Sequence, residues 1–105
     1  MGLTKSKIFS SQQNSSAAVF KALGHPARIA IIQHLLKING CICGDLVEEI
    51  GLAQATISQH LKELKKIGII QGDINGTSVC YCINEEKWKE FKEMTNSFFK
   101  DLSCC

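Results

Sequence analysis

No apolar run in this chain of 105 residues approaches the roughly 18–20 residues that a membrane-spanning helix needs. Residues Met1 to Ser11 are polar and lack the apolar core of a signal peptide. A cytoplasmic protein is therefore expected. Internal repeats, low-complexity tracts and linkers are also missing, which points to one domain over 1–105, with 1–11 and 103–105 as flexible ends. Net charge is only +2, so any nucleic-acid role must rest on where the charges lie rather than on their sum. No segment places a nucleophile beside a base, and no enzyme activity is expected. The three histidines, His25, His34 and His60, fall in separate segments and do not form a metal set. Met1-Gly2 with Ser6, and Cys104-Cys105, match short lipidation patterns. Both patterns are loose, nothing else points to an anchor, and no membrane partner is expected.

What the chain does contain is helical periodicity followed by a change of period. Ser10 or Ser11 can cap a first helix running to about Leu23, with Val19, Phe20 and Leu23 on its apolar side. Pro26, the only proline, opens a second helix, where a missing N–H costs little. Ile29, Ile32, Leu35 and Leu36 form its apolar stripe, and Asn39-Gly40 ends it. A short helix is expected over about 44–50, with Leu46, Val47 and Ile50 facing inward. The turn Gly51-Leu52-Ala53 then leads to a helix from Gln54 to Ile67, with Ile57, Leu61 and Leu64 spaced for burial and Gly68 as its stop. Two helices joined by a three-residue turn containing glycine are the signature of a helix-turn-helix.

Residues 69–74 and 77–83 then read as β-strands around Asn75-Gly76, a strong hairpin signal. Val79, Tyr81 and Ile83 share one face, and Cys80 and Cys82 share the other. A hairpin directly after the second helix of a helix-turn-helix reads as a wing, although Asp73, Asn75 and Thr77 bring no basic side chain to its tip. Asn84 caps a last helix from Glu85 to about Leu102. Trp88, Phe91, Thr95, Phe98 and Leu102 follow a near-heptad seam, with Phe99 beside it. So many bulky positions exceed what one small core can cover, and a dimer interface is their natural use.

The face of the Gln54 helix that is expected to be exposed carries Gln54, Thr56, Ser58, Gln59, His60, Lys62, Glu63, Lys65 and Lys66. Its first turns hold hydrogen-bonding side chains suited to base edges in a major groove. Its later turns hold Lys62, Lys65 and Lys66, suited to phosphates. The fold class expected is mainly α with a β-hairpin wing, and the partner expected is double-stranded DNA.

Phe20-Lys21-Ala22-Leu23-Gly24-His25-Pro26-Ala27-Arg28 and the apolar helix after it resemble the corresponding segment of the arsenic-responsive repressor (ArsR/SmtB) family. Ala53-Gln54-Ala55-Thr56-Ile57-Ser58-Gln59-His60-Leu61-Lys62-Glu63-Leu64 resembles that family's recognition helix, and Gly76 through Asn84 its second wing strand. The resemblance covers roughly 12–102. It implies a homodimer built on the first and last helices, with paired recognition helices reading half-sites about one DNA turn apart. It also implies repression of a metal-resistance operon, relieved when an inducer binds. The family's zinc site on the last helix does not carry over, because that helix has no His, and no Asp before Asp101.

The six cysteines fall into three pairs, Cys41/Cys43, Cys80/Cys82 and Cys104/Cys105. Grouped thiolates select soft or borderline ions, and close cysteine pairs in a reducing compartment point to metal or redox sites. Within a helix, Cys41 and Cys43 would point about 200° apart. Just ahead of a helix, an extended or bent backbone can bring both sulfurs together. The segment Cys41-Ile42-Cys43-Gly44-Asp45-Leu46 resembles the Cys-x-Cys site of thiol-type family members. The inducer expected is As(III) at Cys41 and Cys43, with Cys104 or Cys105 completing the set, and Cd(II) or Pb(II) as alternatives. A disulfide or persulfide switch is a further alternative. Cys80 and Cys82 are expected simply to occupy the wing strand.

Overall fold

Local capping chemistry accounts for the helix boundaries in the computed structural model, which describes residues 8–43, 51–73, 80–100 and 102. Helix α1 spans Ser11–Leu23. The Gln13 backbone N–H donates to Ser10 Oγ at 3.1 Å, and the Ser10 N–H donates to Gln13 Oε1 at 2.9 Å, a reciprocal capping box. Helix α2, Pro26–Ile38, has Pro26 in its first turn and His25 as its cap. The Ala27 N–H donates to His25 Nδ1 at 3.1 Å. Asn39 ends α2 in the left-handed region, φ 57°, which asparagine tolerates better than most residues.

Helix α3 spans Gln54–Lys66, and Gly68 follows it at φ 88°, a conformation that glycine adopts without a steric penalty. The last helix, α4, spans Glu85–Lys100. Asn84 Oδ1 accepts from the Lys87 N–H at 3.2 Å, and the Asn84 N–H ties the helix start to the Ile69 carbonyl at 2.9 Å. The capping role expected of Asn84 is thus realised.

Strands β1 (Ile42–Cys43), β2 (Ile70–Asp73) and β3 (Cys80–Ile83) form one antiparallel sheet in the order β1-β3-β2. The pairing of β2 with β3 sets Ile70 opposite Ile83 and Gly72 opposite Tyr81. This is the expected hairpin, although its tip over 74–79 lies outside the described residues, as does the expected helix over 44–50. Strand β1 is an addition to the expected picture. It lies on the other side of β3, with Ile42 opposite Tyr81 and Cys43 opposite Cys80. At Gly72 (φ 130°), a side-chain carbon would collide with the Cys80 carbonyl and the Tyr81 backbone, so close contact in the sheet requires glycine there.

The core joins Ile31, Ile32 and Leu35 of α2 to Ile57, Leu61 and Leu64 of α3, with Ile69, Ile70 and Tyr81 beneath. Burial of each such aliphatic side chain contributes about 1.5–3 kcal/mol before the entropy of ordering is charged against it. One expectation is corrected here. The i, i+3, i+6, i+7 spacing puts Ile29 and Leu36 on the inward stripe of α2, but they are 41% and 45% exposed in the single chain, and Ile31 is fully buried. Apolar residues nearly encircle this helix, so periodicity alone selects no face. Positions 29 and 36, one heptad apart, share an edge that the 31/35 arc turns away from the core.

Candidate functional site

Helix α3 owes its orientation to Ile57, Leu61 and Leu64, each at most 2% exposed. They seat it against α2, and helical geometry then turns the opposite face outward. Thr56, Gln59, Lys62, Lys65 and Lys66 are exposed, and Ser58 and Glu63 are half-buried. The side chain of Gln54 lies outside the described part of the structure. Gln59 Nε2 approaches Glu63 Oε1 at 3.4 Å, one helical turn away. The result is an outer face of hydrogen-bonding groups followed by a lysine run, which is the arrangement expected of a base- and phosphate-contacting element.

His60 does not belong to that face. It is 8% exposed, and its Nδ1 accepts from Arg28 Nε at 3.0 Å. Its ring lies 4.4 Å from that of His25. Arg28 also donates through a terminal nitrogen to the Ala22 carbonyl at 3.0 Å, which binds the end of α1 to α3. Burial, and then the nearby His25 and Arg28, hold the His60 pKa below its ordinary value. The signal was present in the sequence: positions 57, 60, 61 and 64 follow the i, i+3, i+4, i+7 spacing of a buried stripe. Polarity alone favours an outward His60, but Arg28 makes its burial tolerable by supplying a partner.

The second candidate feature lies on the sheet. Cys41 and Cys43 are brought not to each other but to the wing strand. Cys43 is disulfide-bonded to Cys80, with Cα atoms 4.0 Å apart. The register Ile42 opposite Tyr81 extends to set Cys41 opposite Cys82. Both are free thiols and hydrogen-bond to each other, which raises the Cys41 pKa, with a smaller contribution from desolvation. The expectation that Cys80 and Cys82 merely occupy a strand is corrected, since each faces a cysteine of β1 or the residue before it. Their role was not legible because pairing across 37 residues of sequence leaves no local pattern. In this form, with Cys43 and Cys80 bonded to each other, no three His, Cys, Asp or Glu side chains among the described residues are arranged to hold a metal ion. Cys104 and Cys105 lie outside the described residues.

A third feature is apolar and exposed. Phe20 of α1 meets Phe98 and Phe99 of α4, with ring centroids 5.5 and 6.4 Å away. These rings are 37%, 59% and 67% exposed, and Leu102 beyond them is 88% exposed. Trp88 and Phe91, earlier on the same helix, pack against the core. The seam of α4 thus divides into an inner half that serves this domain and an outer half left uncovered. No helix among the described residues is long and apolar enough to cross a membrane.

Residues 25–71 match the family described as bacterial regulatory protein, arsR family. The chain is 39% identical over 83 residues to an uncharacterised HTH-type transcriptional regulator of Methanocaldococcus jannaschii, covering 77% of this chain and 91% of that protein. It is 30% identical over 99 residues to the cadmium resistance transcriptional regulatory protein CadC of Listeria innocua, covering 93% and 82%. Among solved structures, it resembles the homodimeric winged helix-turn-helix DNA-binding domain of Mb0332 from Mycobacterium bovis, at a TM-score of 0.59 and 26% identity over 98% of this chain and 94% of that one.

Proposed function

Because the chain belongs to the arsR family of bacterial transcriptional regulators, we propose that it is a cytoplasmic homodimeric repressor of a metal- or metalloid-resistance operon. A soft, thiol-seeking inducer acting at Cys41 and Cys43 releases it from operator DNA. The helix-turn-helix supplies DNA binding. Thr56, Ser58 and Gln59, with Gln54, contact bases, and Lys62 and Lys65 contact phosphates; His60 is a structural residue. The second protomer docks on the Phe20, Phe98 and Phe99 surface. As(III) is the leading inducer, with Cd(II) and Pb(II) as alternatives. For As(III), which takes three thiolates, Cys104 or Cys105 is the proposed third ligand.

One observation carries the switch. Cys41 and Cys43 lie against the wing strand β3, and only ten residues of sequence separate Cys43 from Gln54 at the start of α3. A ligand gathered on these sulfurs therefore acts on wing and recognition helix together. The test is fluorescence anisotropy with DNA from upstream of the gene, at stated salt. Arsenite is expected to release the wild type and to leave the Cys41→Ser and Cys43→Ser variants bound. Release of both variants by arsenite, Cd(II) and Pb(II) alike would overturn the reading.

The Cys43–Cys80 bond favours a second reading, in which oxidation or persulfidation of thiols is the signal. Release by a hydroperoxide or persulfide in metal-free buffer, abolished by Cys43→Ser, would establish it over the first.

A further inference from the structure

Strand alternation puts Ile42 and Tyr81 on the core side of the sheet, where Tyr81 is 1% exposed and Ile42 packs against the core cluster. Cys41, Cys43, Cys80 and Cys82 therefore share the opposite face, as two facing pairs, Cys43 with Cys80 and Cys41 with Cys82. Along each strand the two cysteines of a pair are about 6.6 Å apart. A tetrahedral zinc–thiolate centre, with bonds of about 2.3 Å, needs sulfurs about 3.8 Å apart. Leaning inward along the strands alone would leave the four sulfurs in one plane, so a tetrahedral set also needs side-chain rotations that raise one diagonal pair above the other. Across the strands the separation is already short. Cys41 and Cys82 also line an open groove between the end of α2 and the start of α4, alongside Leu36, Asn84 and Trp88, so an ion has access from solvent.

We propose that, in the reduced protein, Cys41, Cys43, Cys80 and Cys82 form a four-thiolate site for a thiophilic d10 dication, Cd(II) or Zn(II), bridging β1 and the wing strand β3. This rests on the reading of Cys41 and Cys43 as inducer ligands and, for a dication, gives them the wing cysteines rather than the tail cysteines as partners. Four thiolates suit a tetrahedral dication, whereas trivalent arsenic takes three. The Cys43–Cys80 disulfide and the ion exclude each other. A dithiol reductant first delivers two electrons and two protons to that bond, leaving two thiols on the protein and a disulfide on the reductant. The dication then displaces four protons as it takes up four thiolates. Metal loading and oxidation thus compete for the same sulfurs, and each pins β1 to the wing.

The test is titration of the reduced full chain with Cd(II), following the thiolate-to-cadmium absorption, with operator release measured in parallel. The wild type is expected to saturate at about one ion per chain with the intensity of four thiolates. A Cys80→Ser/Cys82→Ser double variant is expected to lose about half that intensity. Its affinity should fall by more than the roughly 10–100-fold seen when only an outer-shell partner is removed. A Cys104→Ser/Cys105→Ser variant is expected to keep the four-thiolate Cd(II) intensity, since the tail is proposed as a ligand for As(III) alone. Co(II) substitution in the wild type provides a readout independent of any variant's folding, and the visible spectrum of a tetrahedral tetrathiolate is expected. A three-thiolate Co(II) spectrum, or loss of the cadmium band in the tail variant instead of the wing variant, would overturn the proposal. The inducer reading has its own failure: Cd(II) bound by four thiolates with the protein still on the operator leaves this site standing and removes its role in release.

Discussion

Helices α3 and α4 are both amphipathic, yet their apolar faces end in different places. On α3, Ile57, Leu61 and Leu64 are buried almost completely within the chain. On α4 no residue is buried; Trp88 and Phe91 only lean on the core, and Phe98 and Phe99 stand in the open with Phe20. The first helix is held by its own domain and presents its polar side outward. The second offers its apolar side outward, where the proposed second protomer would cover it. Amphipathic spacing therefore states that a face will be covered but does not state by what.

This contrast can be broken at its strongest point first. Leu64→Ala, at a fully buried position, is expected to lower the unfolding free energy by about 2–5 kcal/mol, read from urea denaturation. The paired change Phe98→Ala with Phe99→Ala is expected to keep the helical circular dichroism but to weaken self-association by about tenfold or more. Each aromatic contact adds roughly 0.5–1.5 kcal/mol beyond its buried area. Sedimentation at several concentrations measures it, and a dimer of unchanged affinity would place the interface elsewhere.

On the outer side of α3, Lys62→Ala with Lys65→Ala is expected to reduce the salt dependence of operator binding by about one unit of slope per lysine. Stability should change by no more than about 0.5 kcal/mol, so anisotropy across a salt series separates this face from the buried one.

The smallest expected effect concerns the edge of α3 where His60 lies. Its pKa in the folded protein is below the ordinary 6.5, so the unfolded chain binds the extra proton more readily. Stability is thus fully present above about pH 6.5 and declines as the pH falls through that value toward the lower folded one. Protonation also removes the Nδ1 acceptor that Arg28 uses. The denaturation midpoint is expected to fall modestly between about pH 7.5 and 5.5, and His60→Gln should flatten that part of the profile.

Much of the architecture could be read in advance because it is encoded locally. Ser10, Pro26, Asn39 and Asn84 act at the helix boundaries where their capping chemistry predicted, and the β2–β3 hairpin follows the change to a period of two. The outer face of α3 was also legible, with the exception of His60. Of the stripe expected on α2, Ile32 and Leu35 are buried but Ile29 and Leu36 are not, because a helix apolar on nearly every side, from Ile29 to Ile38, declares its inner face only once something packs against it.

The winged helix-turn-helix fold and the position of Cys41 and Cys43 ahead of α3 were legible in the sequence alone, since periodicity, capping and motif spacing are properties of neighbouring residues. Two matters were decided only by the tertiary structure. The Arg28 hydrogen bond that draws His60 inward joins residues 32 positions apart. The pairing of β1 with β3 sets Cys41 and Cys43 opposite Cys82 and Cys80. A strand of two residues carries too little pattern to announce its partner, and the facing of four thiols follows from a cross-strand register that exists only when the chain is folded.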